Sequence, residues 1–303
     1  MKFFNNALMY RFTKEMNIDA LKLEEQLAEF RLTPCGPQDM QKFGWVNSFG
    51  IHGDMLTHVG NGAILISARK EEKIIPSSVI KNELDALVAA KELESGVTIK
   101  RAEKSALKDD LLIQLLPRAF SRFKTTEAVI IGEYIIVNAS NYKQAEDLLA
   151  LLRKSMGSLP VIPVVPKSDP STIMTEWVKT STTPNGFELG EQAELRSILD
   201  DGGVAKLKGQ ELACDETMAH IDANKVISKL SVSWQGRLSF LLDDSLAVKC
   251  LSFSDEIKDQ NEDIGFEDKA ARFDADFCLM VGELKALTKD LLNAFGGEEY
   301  EKA

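Results

Sequence analysis

Most of the chemistry that marks an enzyme is missing from this chain. No G-x-x-x-x-G-K-[ST] string occurs, so no loop offers backbone N–H groups and a lysine to nucleotide phosphates. Gly60-Asn61-Gly62-Ala63-Ile64-Leu65 opens like a dinucleotide fingerprint but ends in Leu and precedes an apolar run. Asn-Gly in that setting predicts a tight hairpin instead. Of the three histidines, His52, His58 and His220, none lies in H-E-x-x-H, and no G-x-S-x-G elbow presents a serine. His52 and His58 have no nameable partner and read as structural or surface groups. The four cysteines, Cys35, Cys214, Cys250 and Cys278, form no C-x-x-C pair. They read as scattered buried thiols in a reducing compartment, not as a zinc site or disulfide framework. No run approaches the roughly 18 apolar residues of a membrane span, and Arg11 and Lys14 interrupt the apolar start. A cytoplasmic protein without membrane contact is expected.

What is present fits a globular chain. Apolar residues make up 44% of 303 and charged residues 27%, enough for a sizeable core and about two domains. A net charge of −11 argues against a polyanionic partner only if it is evenly spread. It is not. Residues 255–303 hold 14 Asp/Glu against 6 Lys/Arg, whereas residues 96–124 hold 7 Lys/Arg against 3 Asp/Glu.

Residues 7–12 predict a strand, and Asp19 is placed to cap a helix running to about Phe30. Beyond a strand at 63–68 the pattern turns helical, with Ile80, Leu84, Leu87 and Val88 on one face and a break at Gly96. A second helix over 102–116 stops at Pro117. Strands at 128–131 and 134–137 precede a helix over 142–156. Pro160, Pro163, Pro166 and Pro170 predict an extended linker. Further on, the pattern predicts a helix at 191–199, strands at 226–234, 238–242, 246–253 and 275–280, and a last helix over 283–295. The irregular alternation favours α+β. Residues 1–75 with 122–165 form a central α/β domain, 76–121 an inserted helical arm, and 166–303 a second α+β domain.

The strongest enzymatic candidate is the acid cluster Asp255, Glu256, Asp259, Glu262, Asp263, Glu267, Asp268, Asp274 and Asp276, because metal-dependent nucleases need carboxylates converging on a cation. A calcium loop is excluded: Ile264 stands where the turn needs glycine and Ala270 where it needs glutamate. Asp274 and Asp276 alternate with Phe273, Ala275 and Phe277, which predicts both carboxylates on one side of a strand. The competing reading is a solvated acidic face.

Three cationic segments point to phosphate. Arg69, Lys70 and Lys73 directly follow a strand. Lys100, Lys104 and Lys108 recur every four residues with Arg101 alongside. This is either a solvated helix face or a binding stripe, since cations in a first turn oppose the macrodipole by ~0.3–1 kcal/mol each. Arg118, Phe120, Arg122, Phe123 and Lys124 interleave charge and rings after a helix stop. Phe123 reads as core and Phe120 as an exposed subunit anchor. Lys206 and Lys208 form a lesser basic loop.

Long strings then bring a family into view. Leu32-Thr33-Pro34-Cys35-Gly36, Ala68-Arg69-Lys70-Glu71-Glu72-Lys73-Ile74 and Leu116-Pro117-Arg118-Ala119-Phe120-Ser121-Arg122-Phe123 resemble the RdgC family. So do Leu151-Leu152-Arg153-Lys154-Ser155, Thr175-Glu176-Trp177-Val178, Asp259-Gln260-Asn261-Glu262-Asp263 and Arg272-Phe273-Asp274-Ala275-Asp276-Phe277. The resemblance covers essentially the whole chain. It implies a non-enzymatic, cofactor-free, horseshoe-shaped subunit that closes with a second copy into a ring around duplex DNA. It also implies nucleoid association, indifference to sequence, and restraint of RecA-promoted strand exchange. By position, Arg69, Lys70, Lys73, Lys100, Arg101, Lys104, Lys108, Arg118 and Arg122 would line the hole, with Phe120 at a dimer contact. Ser95-Gly96-Val97-Thr98 is poorer in basic residues than that pattern.

Overall fold

The computed structural model describes residues 2–50, 53–199, 202–264 and 268–300; His52, Asp201 and Glu267 fall outside them. The first part of the chain runs β1 (Leu8–Phe12), α1 (Ala20–Ala28), β2 (Gln41–Val46), β3 (Thr57–Gly60), β4 (Ala63–Ile74), α2 (Ser77–Ser95) and α3 (Arg101–Leu115). It continues through a 3-10 turn at Leu116–Arg118 to β5 (Phe120–Ile131), β6 (Tyr134–Asn138), α4 (Tyr142–Met156) and β7 (Val161–Pro163). These strands form an antiparallel sheet in the order β2-β4-β5-β6-β1-β7, with β3 also on β4. Then come α5 (Pro170–Thr180), β8 (Phe187–Ser197), β9 (Val204–Lys208), α6 (Asp215–Asp222), β10 (Lys225–Trp234), β11 (Leu238–Asp243), β12 (Val248–Phe253), α7 (Asp255–Lys258) and α8 (Lys269–Ala294). The second antiparallel sheet is ordered β12-β11-β10-β8-β9. The fold is α+β.

Local chemistry explains the boundaries. Asp19 accepts a hydrogen bond from the Lys22 N–H and Asn141 from that of Gln144, capping α1 and α4. Asn61 (φ 49°) and Gly62 (φ 71°) both take the left-handed conformation that a two-residue hairpin needs between β3 and β4.

The first sheet is buried on both faces. Leu8, Tyr10, Ile64, Ile66, Ile135 and Val137 pack with Leu23 and Leu27 of α1 and Leu148 and Leu152 of α4. Met9, Leu65, Val129 and Ile136, on the opposite face of the same strands, join a larger core with α5, α8 and the second sheet. Alternation along each strand divides the two sets. Ala7 exchanges backbone hydrogen bonds with Val248 of β12 (2.8 and 3.1 Å), tying the sheets together.

Several expectations are corrected. Residues 191–197 belong to β8 instead of a helix, because Ala193 and Leu195 alternate inward onto β10. Residues 275–280 lie inside the 26-residue α8, not in a strand. Phe277, Met280, Val281, Leu284, Leu287 and Leu291 supply a helical stripe that outweighs the short alternation. Part of the proline-rich stretch is sheet: β7 pairs with β1, and Val164 and Pro170 are buried. The cysteines are not buried. Cys250 is exposed and the others partly so, because Cys35 sits in the loop between α1 and β2, Cys214 is the N-cap residue of α6 and Cys278 lies on the flank of α8.

Gly44 tests the packing of the sheet edge. A Cβ there would stand 2.6 Å from the Leu32 Cα, where Leu32 donates to the Trp45 carbonyl. Gly44→Ala is expected to cost about 1–3 kcal/mol, read as a lowered thermal midpoint with the far-ultraviolet spectrum retained.

Candidate nucleic-acid interface

β4 and β5 pair over twelve residues each, from Ala63 opposite Ile131 to Ile74 opposite Phe120. Near Ala68 and Thr126, both buried, the pair leaves the core and continues as a ribbon flanked along β4 by β2, which pairs with it from Val46 opposite Ser67 to Gln41 opposite Glu72. α2 and α3 are inserted at its end as a helical hairpin. They are thinly packed: among their described residues Leu84 and Leu111 are buried, while Val79, Leu87, Leu93 and Ile113 are exposed.

The register sorts the cations. Lys70 faces Lys124, Glu72 faces Arg122 and Ile74 faces Phe120 on one side. Arg69, Glu71 and Lys73 face Thr125, Phe123 and Ser121 on the other. On the first side Lys70, Arg122 and Lys124 line a groove with Lys143 from the first turn of α4. Glu72 and Asp147 are the carboxylates in that lining, so four cations stand against two acids. Arg122 bonds Glu72 at 2.8 Å and holds its carboxyl below the ordinary glutamate range. Gln144 donates to the Thr126 hydroxyl (2.8 Å), fixing α4 against the ribbon. Like charges directly across a ladder are unfavourable, as is a lysine in a first helical turn. An anion seated between them reverses both penalties.

The other face is tied down. The Glu71 carboxylate accepts from the Cys35 N–H (2.8 Å) and the Ser121 hydroxyl (2.6 Å). Arg69 donates to the Thr125 hydroxyl and Lys73 to the Ala119 carbonyl. Lys100 is the N-cap residue of α3, and Arg101 and Lys104 fall in its first turn. Lys104 reaches Asp85 of α2 at 3.2 Å, so the Lys100, Lys104 and Lys108 stripe follows the flank where α3 meets α2. Arg118 is exposed beside the ribbon end. Lys206 and Lys208 lie on β9 of the second sheet, where Lys206 pairs with Glu194 at 3.4 Å. Phe120 is 85% exposed. Phe123 is 57% exposed, against the expectation of a core ring, because its strand has already left the core. Lys143 was not singled out from sequence: it is distant along the chain, and α4 alone brings it to the ribbon.

The carboxylate pair expected for a nuclease is separated. Asp274 and Asp276 are two residues apart on α8, about 200° around its axis. Asp274 lies 3.1 Å from the His58 ring, and the buried Asp276 accepts from Asn261. Among the described residues no three His, Cys, Asp or Glu side chains are grouped to hold a metal ion, and no helix is long and apolar enough to cross a membrane.

A family model described as "Putative exonuclease, RdgC" matches residues 2–298. The chain belongs to the RdgC family. Curated relatives named Recombination-associated protein RdgC include that of Enterobacter sp. (strain 638), 49% identical over 300 residues, and that of Salmonella newport (strain SL254), 50% identical over 300. A third, from Yersinia enterocolitica, is 50% identical, and each alignment covers 98% of this chain and 99% of the relative. The RdgC strings at residues 68–74 and 120–123 thus lie on the paired strands β4 and β5.

Folding holds the Glu71 carboxyl below its ordinary range, chiefly through the Ser121 hydroxyl and then the Cys35 N–H. Its contribution is therefore full above about pH 4.5 and is lost as pH falls through the lowered value. Amide exchange at residues 120–124 should accelerate on that descent, and Glu71→Gln should flatten the pH dependence.

Proposed function

We propose that the protein binds duplex DNA without regard to sequence, as a non-enzymatic homodimer. The carrying observation is the pair Lys70 and Lys124, directly opposed on a ribbon outside the core and joined in one groove by Arg122 and Lys143. Duplex DNA carries one charge per ~1.7 Å, and each neutralised phosphate releases counterions, so such a surface favours any sequence alike. The acidic remainder of the chain, which makes the whole protein −11, repels further DNA. Phe120, 85% exposed at the ribbon end, suits a contact with a second copy. Two copies closing into a ring would add topological retention and withhold duplex from RecA-promoted strand exchange by occupancy alone. Such a protein would associate with the nucleoid in the cytoplasm.

The expected measurement is fluorescence anisotropy on two duplexes of unrelated sequence across a salt series. Affinities should match between duplexes and fall steeply with salt. Lys70→Glu combined with Lys124→Glu should weaken both and reduce the log–log salt slope by about 1.8 if each lysine meets one phosphate. Binding indifferent to salt refutes the reading. The family description favours one rival, a nuclease; plasmid nicked by purified protein with Mg²⁺ or Mn²⁺ would establish it, and intact, shifted plasmid would not.

Dimerisation has its own test. Phe120→Ser should lower self-association in sedimentation without moving the thermal midpoint, and should abolish preferential retention on closed circular over linear DNA.

A further inference from the structure

At the opposite end of β4 and β5 from the ribbon lies a cleft of about 550 Å³. It opens between the β3–β4 and β5–β6 turns and the C-terminal half of α8. Its volume is in the range of small-molecule sites. Ile131, Ile136 and Leu292 supply an apolar lining, continuous with the larger core.

The charged groups around it divide sharply. Glu133 and Glu298 are engaged by Arg11, whose guanidinium meets them at 2.8 and 2.5 Å. The Tyr134 hydroxyl accepts from Arg11 and donates to Glu298, each at 3.0 Å. The two acids of the lining thus share one cation, Arg11. Lys285 and Lys289 stand one helical turn apart on α8, exposed, and neither has an ion-pair partner within 4.0 Å among the described residues. With Arg11 shared between two acids and two lysines unpaired, the surroundings carry one net positive charge, and such a charge beside an apolar hollow fits a ligand with a compact apolar body and one negative head. A duplex backbone would leave the hollow unfilled.

We propose that this cleft binds a small amphipathic anion, a carboxylate, sulfonate or phosphate on an apolar body, with Lys285 and Lys289 at the head. The site is independent of the DNA-binding ribbon.

The probe is anilinonaphthalene sulfonate, added to the full chain and followed by fluorescence. Saturable enhancement is expected, displaced by decanoate and not by decyltrimethylammonium, which has an equal chain and the opposite charge. Lys285→Glu with Lys289→Glu, at two exposed positions that leave the core intact, should weaken the probe by about tenfold or more while duplex binding is unchanged. Enhancement lost in Phe120→Ser but kept in the lysine variant would place the probe on the arm and overturn the proposal. So would equal displacement by the cationic surfactant, or the absence of saturable binding. Loss of duplex affinity with probe binding intact would instead count against the DNA reading alone.

Discussion

The pairing of β4 with β5 is the constraint on which the rest of the molecule depends. Its first half is fixed from both sides, because Ile64 and Ile66 belong to one core and Ala63 and Leu65 to the other. A slip of one residue would carry each set into the wrong core. The register is therefore decided where the strands are buried and inherited where they are not. Lys70 and Lys124 meet on one face because isoleucines and leucines several residues away leave them no alternative.

That inheritance lets an acidic protein maintain a cationic surface. Opposed lysines weaken an isolated ladder, by up to about 1 kcal/mol per pair, and the buried half of the strands absorbs this. Neighbouring carboxylates are disposed differently. Glu71 serves the ribbon through Cys35 and Ser121, whereas Glu72 is taken up by Arg122. Each acid inside the ribbon is spoken for by the ribbon itself, and the groove keeps its positive balance.

Much of this was legible in the sequence, for identifiable reasons. α1, α4 and the Asn61-Gly62 hairpin carry caps and turn residues that act locally. The failures arose where short windows contradict longer ones. Glu191, Gln192, Glu194 and Leu195 are good helix formers, yet β8 is a strand because pairing with β10 and β9 overrides propensity. The alternation around Asp274 and Asp276 imitates a strand over five residues, while the apolar spacing of α8 extends over 26. At the candidate site the basic segments could be read from composition. Their division into faces could not, since it depends on register, nor could Lys143, which comes from another element. The cleft beside α8 is assembled from four separate stretches of chain and leaves no local pattern at all.

The helical hairpin is carried on two strands, a mounting with mechanical meaning. α2, at 19 residues, is about 28 Å long. It leads away from the ribbon to Gly96 and Lys100, and α3 leads back. Tilting the helical hairpin by roughly ten degrees at its base, where β4 has left β2, would sweep that far turn through about 5 Å without disturbing either core. The molecule thus has a lever whose pivot lies where β4 leaves β2, just beyond Glu72 and Lys73, and whose long end bears a row of lysines.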